Sequence, residues 1–452
     1  MLCMSYIRPL RLILLSLAFL LPALANAQDD IRLELSGNAA DRTRIAVANF
    51  KPGTDDPRNA ALKRTFDTVL FADLQNAGIF DLVSKSMAPQ ETPGAPTEMK
   101  LDHWSAAPVS AAMVAFGALG VTGNRLAVNG FLFDAKNSQY PQVLARQYGE
   151  DASEDNARQI AHRFADEIIL RLGGGINGIA ETKIYYVHSP GAGVKDIWAM
   201  DYDGANQHQI THTGEISLSP RVSPDNTRLA YTSLGRDGWK VRMFSLLLGR
   251  PVAFPTGGGS AISPAWAPNG KELAYSAAPN NDYDIWISDL NGTLGRKVTN
   301  FVGPDMSPVF NPRTGAQIAW ISGRTGLPQL YIMEADGSSV QRLTDTGYVS
   351  APSWSPNGQF IAFGWNRKYG PGAPGGQDIY VMEIASKKWI QLTHDGGQCD
   401  FPSWSPDGRH IVYANSPDGR VEHMKIWTML ADGTDRKPLT GTGSDMPNWS
   451  WK

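Results

Sequence analysis

Cysteine is nearly absent from this sequence. Its 452 residues include only two, Cys3 and Cys399, and the first lies in a segment that we predict to be removed. A single remaining cysteine excludes an internal disulfide framework, so we expect Cys399 to be a small buried packing residue. Positive charge is not in excess either, because the formal net charge is −3. The composition therefore gives no electrostatic reason to expect a nucleic-acid partner.

Catalytic motifs are also missing. The sequence contains neither Gly-x-Ser-x-Gly, the turn that carries the nucleophile of α/β-hydrolases, nor the zinc motif His-Glu-x-x-His. His208 and His212 have the spacing of a metal-binding pair on a helix, but they flank a predicted strand, where this spacing separates them. From these patterns we predict no catalytic residues and no metal site.

Long hydrophobic runs are confined to the start of the chain. Residues 12–21 are almost all apolar, follow Arg8 and Arg11, and precede a small-x-small sequence at residues 25–27. Such a run is too short for a transmembrane helix but typical of a signal peptide. We predict that residues 1–27 are removed on export across the inner membrane, which changes the net charge from −3 to −5. We expect the remaining chain not to span a membrane.

A motif of the Ser-Pro-Asn-Gly type recurs along the second part of the chain. Clear copies begin at Ala267, Ser355 and Ser405, and weaker copies begin at Ser223 and Asn311. Each copy precedes a short apolar strand of the Leu-Ala-Tyr type. Proline, Asn or Asp, and Gly in this order favour a tight turn between strands. The repeat length of roughly 44 residues is typical of β-propeller blades.

Each repeat is predicted to contain four strands, with hairpin turns of the Asp-Gly type such as Asp336-Gly337. The series opens at Ile184 with a second strand and ends at residues 447–450 with a first strand, so the two ends complete one unit. A ring sealed in this way removes two exposed sheet edges. We therefore predict a closed six-bladed β-propeller over residues 183–452.

One position of the innermost strands is aromatic in almost every repeat. Its occupants are Trp266, Phe310, Trp354, Trp404 and Trp449, with Val222 in the sixth copy. The flanking residues are mostly small, and period-two alternation places them on the opposite face of the strand. We predict that the aromatic side chains pack between neighbouring sheets rather than stack on a ligand.

Residues 28–172 lack the repeat and predict an amino-terminal α/β domain, so the fold class is β-rich and multidomain. Strand patterns cover residues 45–48, 79–83, 126–133 and 143–148. Apolar residues at helical spacing lie between Leu62 and Leu74 and again between Ile160 and Leu172, with Ser153 as a cap for the second helix. The glycines at 173–175 begin a linker that we place at residues 173–182.

A short charged and apolar stretch, residues 28–35, precedes the first predicted strand of this domain. It has two interpretations: an edge strand of the domain, or a mobile tail that a partner captures by strand addition. Composition favours the edge strand.

The whole pattern resembles the TolB family of periplasmic proteins. The resemblance rests on the order of signal peptide, α/β domain and six repeats, on Asp201-Tyr202-Asp203-Gly204 in the first repeat, and on the final Pro447-Asn448-Trp449-Ser450. It implies an adaptor of the Tol-Pal system rather than an enzyme. Such proteins bind the lipoprotein Pal at one mouth of the propeller channel and present an amino-terminal segment to TolA. They support outer-membrane invagination during cell division and outer-membrane integrity, and the resemblance allows contacts with other outer-membrane proteins.

The same resemblance assigns binding residues. Family members contact Pal through loops just before the innermost strands, which here contain Ser260, Ser263, Asp305, Met306, Ser307, Tyr348, Ser350, Asp400, Phe401, Asp445 and Met446. By position, the segment for TolA contains Asp30, Ile31, Arg32, Leu33, Glu34 and Leu35.

Three acidic residues, Asp305, Asp400 and Asp445, lie shortly before the proline of an innermost strand. We expect the ring to gather them around one mouth, where they would attract a basic partner loop or a hard cation such as calcium. The simpler interpretation is that each carboxylate caps its own turn. We predict no cofactor, with calcium at this mouth as the single alternative. The alternative function is a propeller hydrolase or lactonase-like enzyme that uses these carboxylates.

Overall fold

The computed structural model describes residues 42–452, except residues 192, 257–258, 292–294, 367–375 and 395–396. The predicted signal peptide and the segment assigned to TolA, residues 30–35, lie outside the described residues. Within the described part of the chain, every helix is too short or too polar to cross a membrane.

The first described residues form a sheet covered by helices. The strands are β1 (Thr43–Val47), β2 (Lys51–Pro52), β3 (Phe80–Leu82), β4 (Met113–Thr122), β5 (Arg125–Asp134) and β6 (Gln142–Asp151). The helices are α1 (Asn59–Asn76), α2 (Leu101–Ser105) and α3 (Glu154–Leu172), with a 3₁₀ turn at Pro96–Glu98. The sheet order is β3-β1-β4-β5-β6, with β2 beside β4. Strand β1 pairs in parallel with β3 and β4, whereas β4, β5 and β6 are antiparallel.

Helices α1 and α3 pack together over this sheet, and their apolar faces form its main core. Phe66, Leu70, Phe164 and Ile168 are fully buried there. The predicted cap of the second helix is confirmed, because the Ser153 hydroxyl accepts a hydrogen bond from the amide of Asn156 at 3.1 Å. The strand patterns at 45–48, 79–83, 126–133 and 143–148 correspond to β1, β3, β5 and β6. Strand β4, which lies in the middle of the sheet, was not predicted from the sequence pattern.

The described residues from Lys183 onward form six arrays, each of four antiparallel strands. A single parallel pair, Ile216 with Lys195, joins the first two arrays into one eight-stranded sheet. Array 1 contains β7 (Lys183–Gly191), β8 (Val194–Asp201), β9 (His208–Gln209) and, from the end of the chain, β30 (Ser444–Trp449). Array 2 contains β10 (Ile216–Val222), β11 (Arg228–Gly235), β12 (Gly238–Ser245) and β13 (Arg250–Val252). Array 3 contains β14 (Ser260–Trp266), β15 (Glu272–Ala278), β16 (Asp284–Asp289) and β17 (Arg296–Lys297).

The remaining three arrays have the same plan. Array 4 contains β18 (Asp305–Phe310), β19 (Gln317–Ser322), β20 (Gln329–Glu334) and β21 (Gln341–Arg342). Array 5 contains β22 (Tyr348–Trp354), β23 (Phe360–Asn366), β24 (Asp378–Glu383) and β25 (Trp389–Gln391). Array 6 contains β26 (Gln398–Trp404), β27 (His410–Ser416), a 3₁₀ turn at Val421–His423, β28 (Lys425–Leu430) and β29 (Lys437–Pro438).

The repeated turn has a local chemical explanation. Its fourth residue adopts a left-handed conformation, with φ near 70° at Gly408 and 74° at Gly358, and Asn226 takes this position in array 2. Glycine has no Cβ to clash in this conformation, and Asn tolerates it better than most residues. The first residue adds a side-chain bond, because the Ser355 hydroxyl accepts from the amide of Phe360 at 2.9 Å. These contacts explain why the motif recurs at the same point of arrays 2 to 6.

A bulge interrupts every innermost strand at the same point. In each of the six strands, the register shifts around one left-handed residue that precedes a proline. The six bulge residues are Ser219, Ser263, Ser307, Ala351, Phe401 and Met446. A non-glycine residue in this conformation costs about 1–2 kcal/mol. Such strain at six equivalent positions marks this end of the strands as a candidate functional region.

The recurring aromatic residues join neighbouring arrays, as predicted. Trp266 is buried in a cluster with Ala230 of array 2 and Tyr275 of array 3. Its indole Nε1 donates a hydrogen bond to the carbonyl of Arg221 at 2.9 Å. Cys399 is fully buried, also as predicted.

Candidate functional site

A cavity of about 730 Å³ opens where the innermost strands begin. We call it the mouth cavity; its walls are the bulges of arrays 2 to 6 and the turns between second and third strands. Seven of the residues assigned to Pal line it: Ser263, Met306, Ser307, Tyr348, Ser350, Asp400 and Phe401. The other four, Ser260, Asp305, Asp445 and Met446, do not. Seven further polar or bulge residues of the lining were not predicted from the sequence: Ser219, Arg221, Ala351, Asn366, Gln377, Gln398 and Asp418.

Asp400 is held in a network of hydrogen bonds at this cavity. One carboxylate oxygen accepts from the Ser350 hydroxyl and from the amide of Phe401, both at 2.7 Å. The Gln377 amide in turn donates to the Ser350 hydroxyl at 2.6 Å. A Cβ atom at Gly364 would lie 2.5 Å from atoms of these three side chains. The network therefore fits against the backbone of Gly364 because that residue has no side chain.

Burial raises the pKa of Asp400 to about 6, although the hydrogen bonds from Ser350 and Phe401 lower it. The nearby negative charge of Asp445 adds to the increase. Asp445 is itself buried and accepts from the amide of Met446 at 2.7 Å, and burial raises its pKa also. Both carboxylates cap the backbone at their own bulge, which agrees with the simpler of the two interpretations from the sequence.

The expectation that three carboxylates gather at one mouth is wrong for Asp305. This side chain is fully buried and accepts hydrogen bonds from the indole of Trp320 at 3.0 Å and from the guanidinium of Arg324 at 2.9 Å. Asp305 precedes its bulge by two residues, whereas Asp400 and Asp445 precede theirs by one. Because alternate residues of a strand face opposite sides, Asp305 points away from the mouth. No group of three acidic, His or Cys side chains that could hold a metal ion occurs among the described residues.

The six bulge positions differ in size around the mouth. Ser219, Ser263, Ser307 and Ala351 are small, whereas Phe401 and Met446 are large and belong to adjacent arrays. The Met446 sulfur also lies 3.7 Å from the hydroxyl of Ser219. One side of the mouth is therefore apolar and the other side is small and polar. Such a surface suits a protein loop with one apolar anchor.

The Asp201-Tyr202-Asp203-Gly204 stretch joins the repeated arrays to the α/β domain. The Tyr202 hydroxyl donates to the carboxylate of Asp73 in α1 at 2.6 Å. The other oxygen of Asp73 lies 2.7 Å from Nδ1 of His162 in α3, and all three side chains are buried. Arg158 of α3 donates to Asp201 at 3.3 Å and forms an ion pair with Asp203. The stretch that carries the family resemblance thus docks the two domains.

An α/β domain joined to repeated four-stranded arrays, with a cavity at the bulged ends of the innermost strands, defines a two-domain β-propeller protein. Models of known protein families match both domains. Residues 31–140 match the TolB amino-terminal domain, and residues 171–452 match the TolB beta propeller domain. The chain belongs to the TolB family.

Individual relatives give the same assignment. The chain is 30% identical over 293 residues to a "Protein TolB homolog" of Chlorobium luteolum, a match that covers 64% of each chain. It is 30% identical over 379 residues to the "Tol-Pal system protein TolB" of Gluconobacter oxydans, covering 73% of this chain and 79% of that one. The crystal structure of TolB from Acinetobacter baumannii superposes with a TM-score of 0.73 at 24% identity, over 91% of this chain and 97% of that one. This structural similarity supports the fold.

Proposed function

We propose that this protein is a periplasmic adaptor of the Tol-Pal envelope system, which binds Pal at the mouth cavity and TolA through residues 30–35. In this role it supports outer-membrane invagination during cell division and outer-membrane integrity. Membership of the TolB family and the name of the Gluconobacter relative support the system. The observation that carries the Pal site is that seven of the residues assigned to it line one cavity.

The proposal includes a closed six-bladed ring. Two observations support it: the last strand, β30, pairs with β7, and each innermost strand contacts the innermost strand of the next array. In this ring, the order of the innermost strands is β30, β10, β14, β18, β22, β26 and again β30. Closure leaves the central sheet edges facing the channel, where neighbouring chains have no access to them.

The apolar side of the mouth provides the anchor for Pal. Phe401 is half-buried in the cavity wall, and its backbone amide is fixed by Asp400. A preorganised aromatic side chain at the centre of an interface commonly carries much of the binding energy. The polar side, with Ser263 and Ser307, can form hydrogen bonds to the same partner.

Phe401→Ala tests this site. Loss of the aromatic anchor is expected to weaken the affinity for the soluble domain of Pal at least tenfold, about 1.4 kcal/mol or more. Isothermal titration calorimetry on the full mature chain measures it. Tyr140→Ala is the matched control, because Tyr140 is 73% exposed in the other domain. If Phe401→Ala and Tyr140→Ala bind Pal with equal affinity, Pal binds at a surface other than the mouth cavity. No binding to any variant would contradict the adaptor, and assays with model glycosides and lactones would then test the hydrolase alternative.

The segment for TolA is proposed from its position before the α/β domain. Strand addition suits a short stretch that alternates apolar and charged residues, as Ile31-Arg32-Leu33-Glu34-Leu35 does. A mature chain without residues 28–35 should lose measurable binding to the soluble domain of TolA and keep its affinity for Pal. Retained TolA binding would show that another surface is used.

A further inference from the structure

One position of the innermost strands carries a cation in a single array. Two residues after each bulge, the six strands have Arg221, Ala265, Val309, Ser353, Ser403 and Asn448. All six line a second cavity of about 280 Å³, which lies towards the recurring tryptophans and is called here the tryptophan cavity. Arg221 also lines the mouth cavity. Its side chain therefore lies between the two cavities.

Few described groups balance the positive charge of Arg221. The described contact of its guanidinium is a single hydrogen bond from Nη1 to the carbonyl of Pro220, at 2.9 Å, and no described carboxylate pairs with it. The side chain is partly open to solvent, but this opening faces the cavities, and protein atoms surround it otherwise. Burial lowers its pKa to about 10, so Arg221 is a cation at neutral pH. An enclosed guanidinium with four unused donors normally has an anionic partner.

On the side of the tryptophan cavity, the wall around Arg221 offers further donors and no acid, whereas Asp400 and Asp418 line the mouth cavity. The described lining of the tryptophan cavity contains no Asp or Glu. The hydroxyl oxygens of Ser353 and Ser403 accept from the amides of Trp404 at 3.3 Å and Trp449 at 3.0 Å, which leaves both O–H groups available to donate. The rest of the wall combines aromatic rings, prolines and small apolar side chains with a few polar residues. One of these, Lys452, is a second cation, but it already pairs with Asp166 and Glu181. One cation without a described carboxylate partner, two hydroxyls and aromatic rings match a singly charged group with an organic part.

We propose that Arg221 binds a carboxylate between the two cavities. A carboxylate is planar and accepts two parallel bonds from a guanidinium, and its single charge matches the charge of Arg221. The carboxylate has two sources: a free small organic acid, or an acidic side chain of the partner at the mouth. The second source rests on the proposed function, whereas the first does not.

Thermal stability tests the site without any partner. The midpoint of unfolding is measured in sodium benzoate and in sodium chloride of equal ionic strength, for the wild type, Arg221→Gln and Arg250→Gln. Arg250 is an exposed arginine on the outer strand of the same array, so its variant controls for the loss of charge. Compared with chloride, benzoate should raise the unfolding midpoint of the wild type and of Arg250→Gln. This rise should exceed the rise in Arg221→Gln by about 2 °C or more. Arg221→Gln in chloride should unfold at or above the wild-type midpoint, because an unpaired charge is removed, and this shows that the variant folds.

Calorimetry with the soluble domain of Pal distinguishes the two sources. If the partner supplies the carboxylate, Arg221→Gln weakens the affinity at least tenfold, Arg221→Lys restores part of it, and benzoate competes in the wild type. If a free acid is bound, the affinity for Pal is the same within twofold and only the benzoate effect depends on Arg221. The proposal is overturned if benzoate acts equally on all variants and Arg221→Gln also binds Pal as the wild type does. If the wild type does not bind Pal, the proposed function fails and the benzoate measurement alone decides this site.

Discussion

Asp400 lies buried between Ser350, Gln377 and the amide of Phe401, where its ionised form is disfavoured. Its pKa in the folded protein is about 6, above the ordinary value of 3.8. A carboxyl group whose pKa rises on folding stabilises the protein fully below the unfolded pKa, and this contribution is lost as the pH rises through the folded pKa. For Asp400 the loss occurs between about pH 4 and pH 6.

Asp400→Asn removes the charge and keeps an oxygen that can accept from Ser350. At pH 7.5 the variant is expected to have a higher free energy of unfolding than the wild type, by up to about 3 kcal/mol, and at pH 4 this difference should vanish. Urea unfolding at both pH values measures it. Asp55→Asn, at an exposed position, controls for the change in net charge. If the variant is less stable than the wild type at pH 7.5, the hydrogen bonds of the Asp400 carboxylate stabilise the fold by more than the burial of its charge destabilises it.

Among the strands, the bulges are the elements that shape the mouth. The bulges of arrays 2 to 6 each turn a side chain such as Phe401 towards the cavity and reverse the alternation that follows. Asp305 and Asp400 face different environments because they precede their bulges by two residues and by one, and alternate residues of a strand face opposite sides. The cost of the left-handed conformation is compensated by the rest of the sheet, as is common at binding sites.

Ala351→Gly tests this strain. Ala351 has φ of 44°, so glycine should relieve the clash of its Cβ and raise the free energy of unfolding by about 0.5–1 kcal/mol. Ala265→Gly is the matched control, since Ala265 is a buried alanine in the regular part of an innermost strand and should be destabilised by about 1 kcal/mol. Both values come from urea unfolding. A loss of stability in both variants would mean that the bulge carries no strain.

At the scale of the whole molecule, the two domains are joined by buried polar contacts. Asp73 connects α1 to Tyr202 of the first array and to His162 of α3. At the other side of the junction, Asp166 of α3 accepts from the amide of Ala180 at 2.9 Å and pairs with Lys452 near the end of the chain. The α/β domain is thus tied to both ends of the repeated region.

Tyr202→Phe should weaken this junction. The substitution removes one hydrogen bond from a buried carboxylate, so the free energy of unfolding should fall by about 1–3 kcal/mol. Limited proteolysis of residues 173–178 should also become faster, because the domains separate more often. Tyr185→Phe is the control, because burial raises the pKa of Tyr185 without any described hydrogen bond to its hydroxyl. Equal proteolysis of both variants would show that the contact with Asp73 does not hold the domains together.

Much of the architecture is predictable because it depends on neighbouring residues. The Ser-Pro-Asn-Gly turns, the cap at Ser153 and the alternation around Trp266 act within a few residues, so the pattern alone predicts the repeat and the helices. Strand β4 was missed because its middle, Ala115-Phe116-Gly117-Ala118, lacks the alternation of a half-buried strand. The helices bury one face of β4, and a separate apolar cluster around Trp104 and Phe133 buries the other; only the tertiary structure brings these residues to the strand.

The sequence by itself determined the family, the repeat and the loops that lie near the mouth, since all of these follow from local motifs and their spacing. The tertiary structure decided which of those loop residues share a cavity, because one bulge reverses the direction of every side chain around it. It separated Asp305, which pairs with Arg324, from Asp400 at the mouth. It also placed Arg221 between two cavities and without a described carboxylate partner, which depends on residues that are distant in the chain and meet only when the arrays assemble.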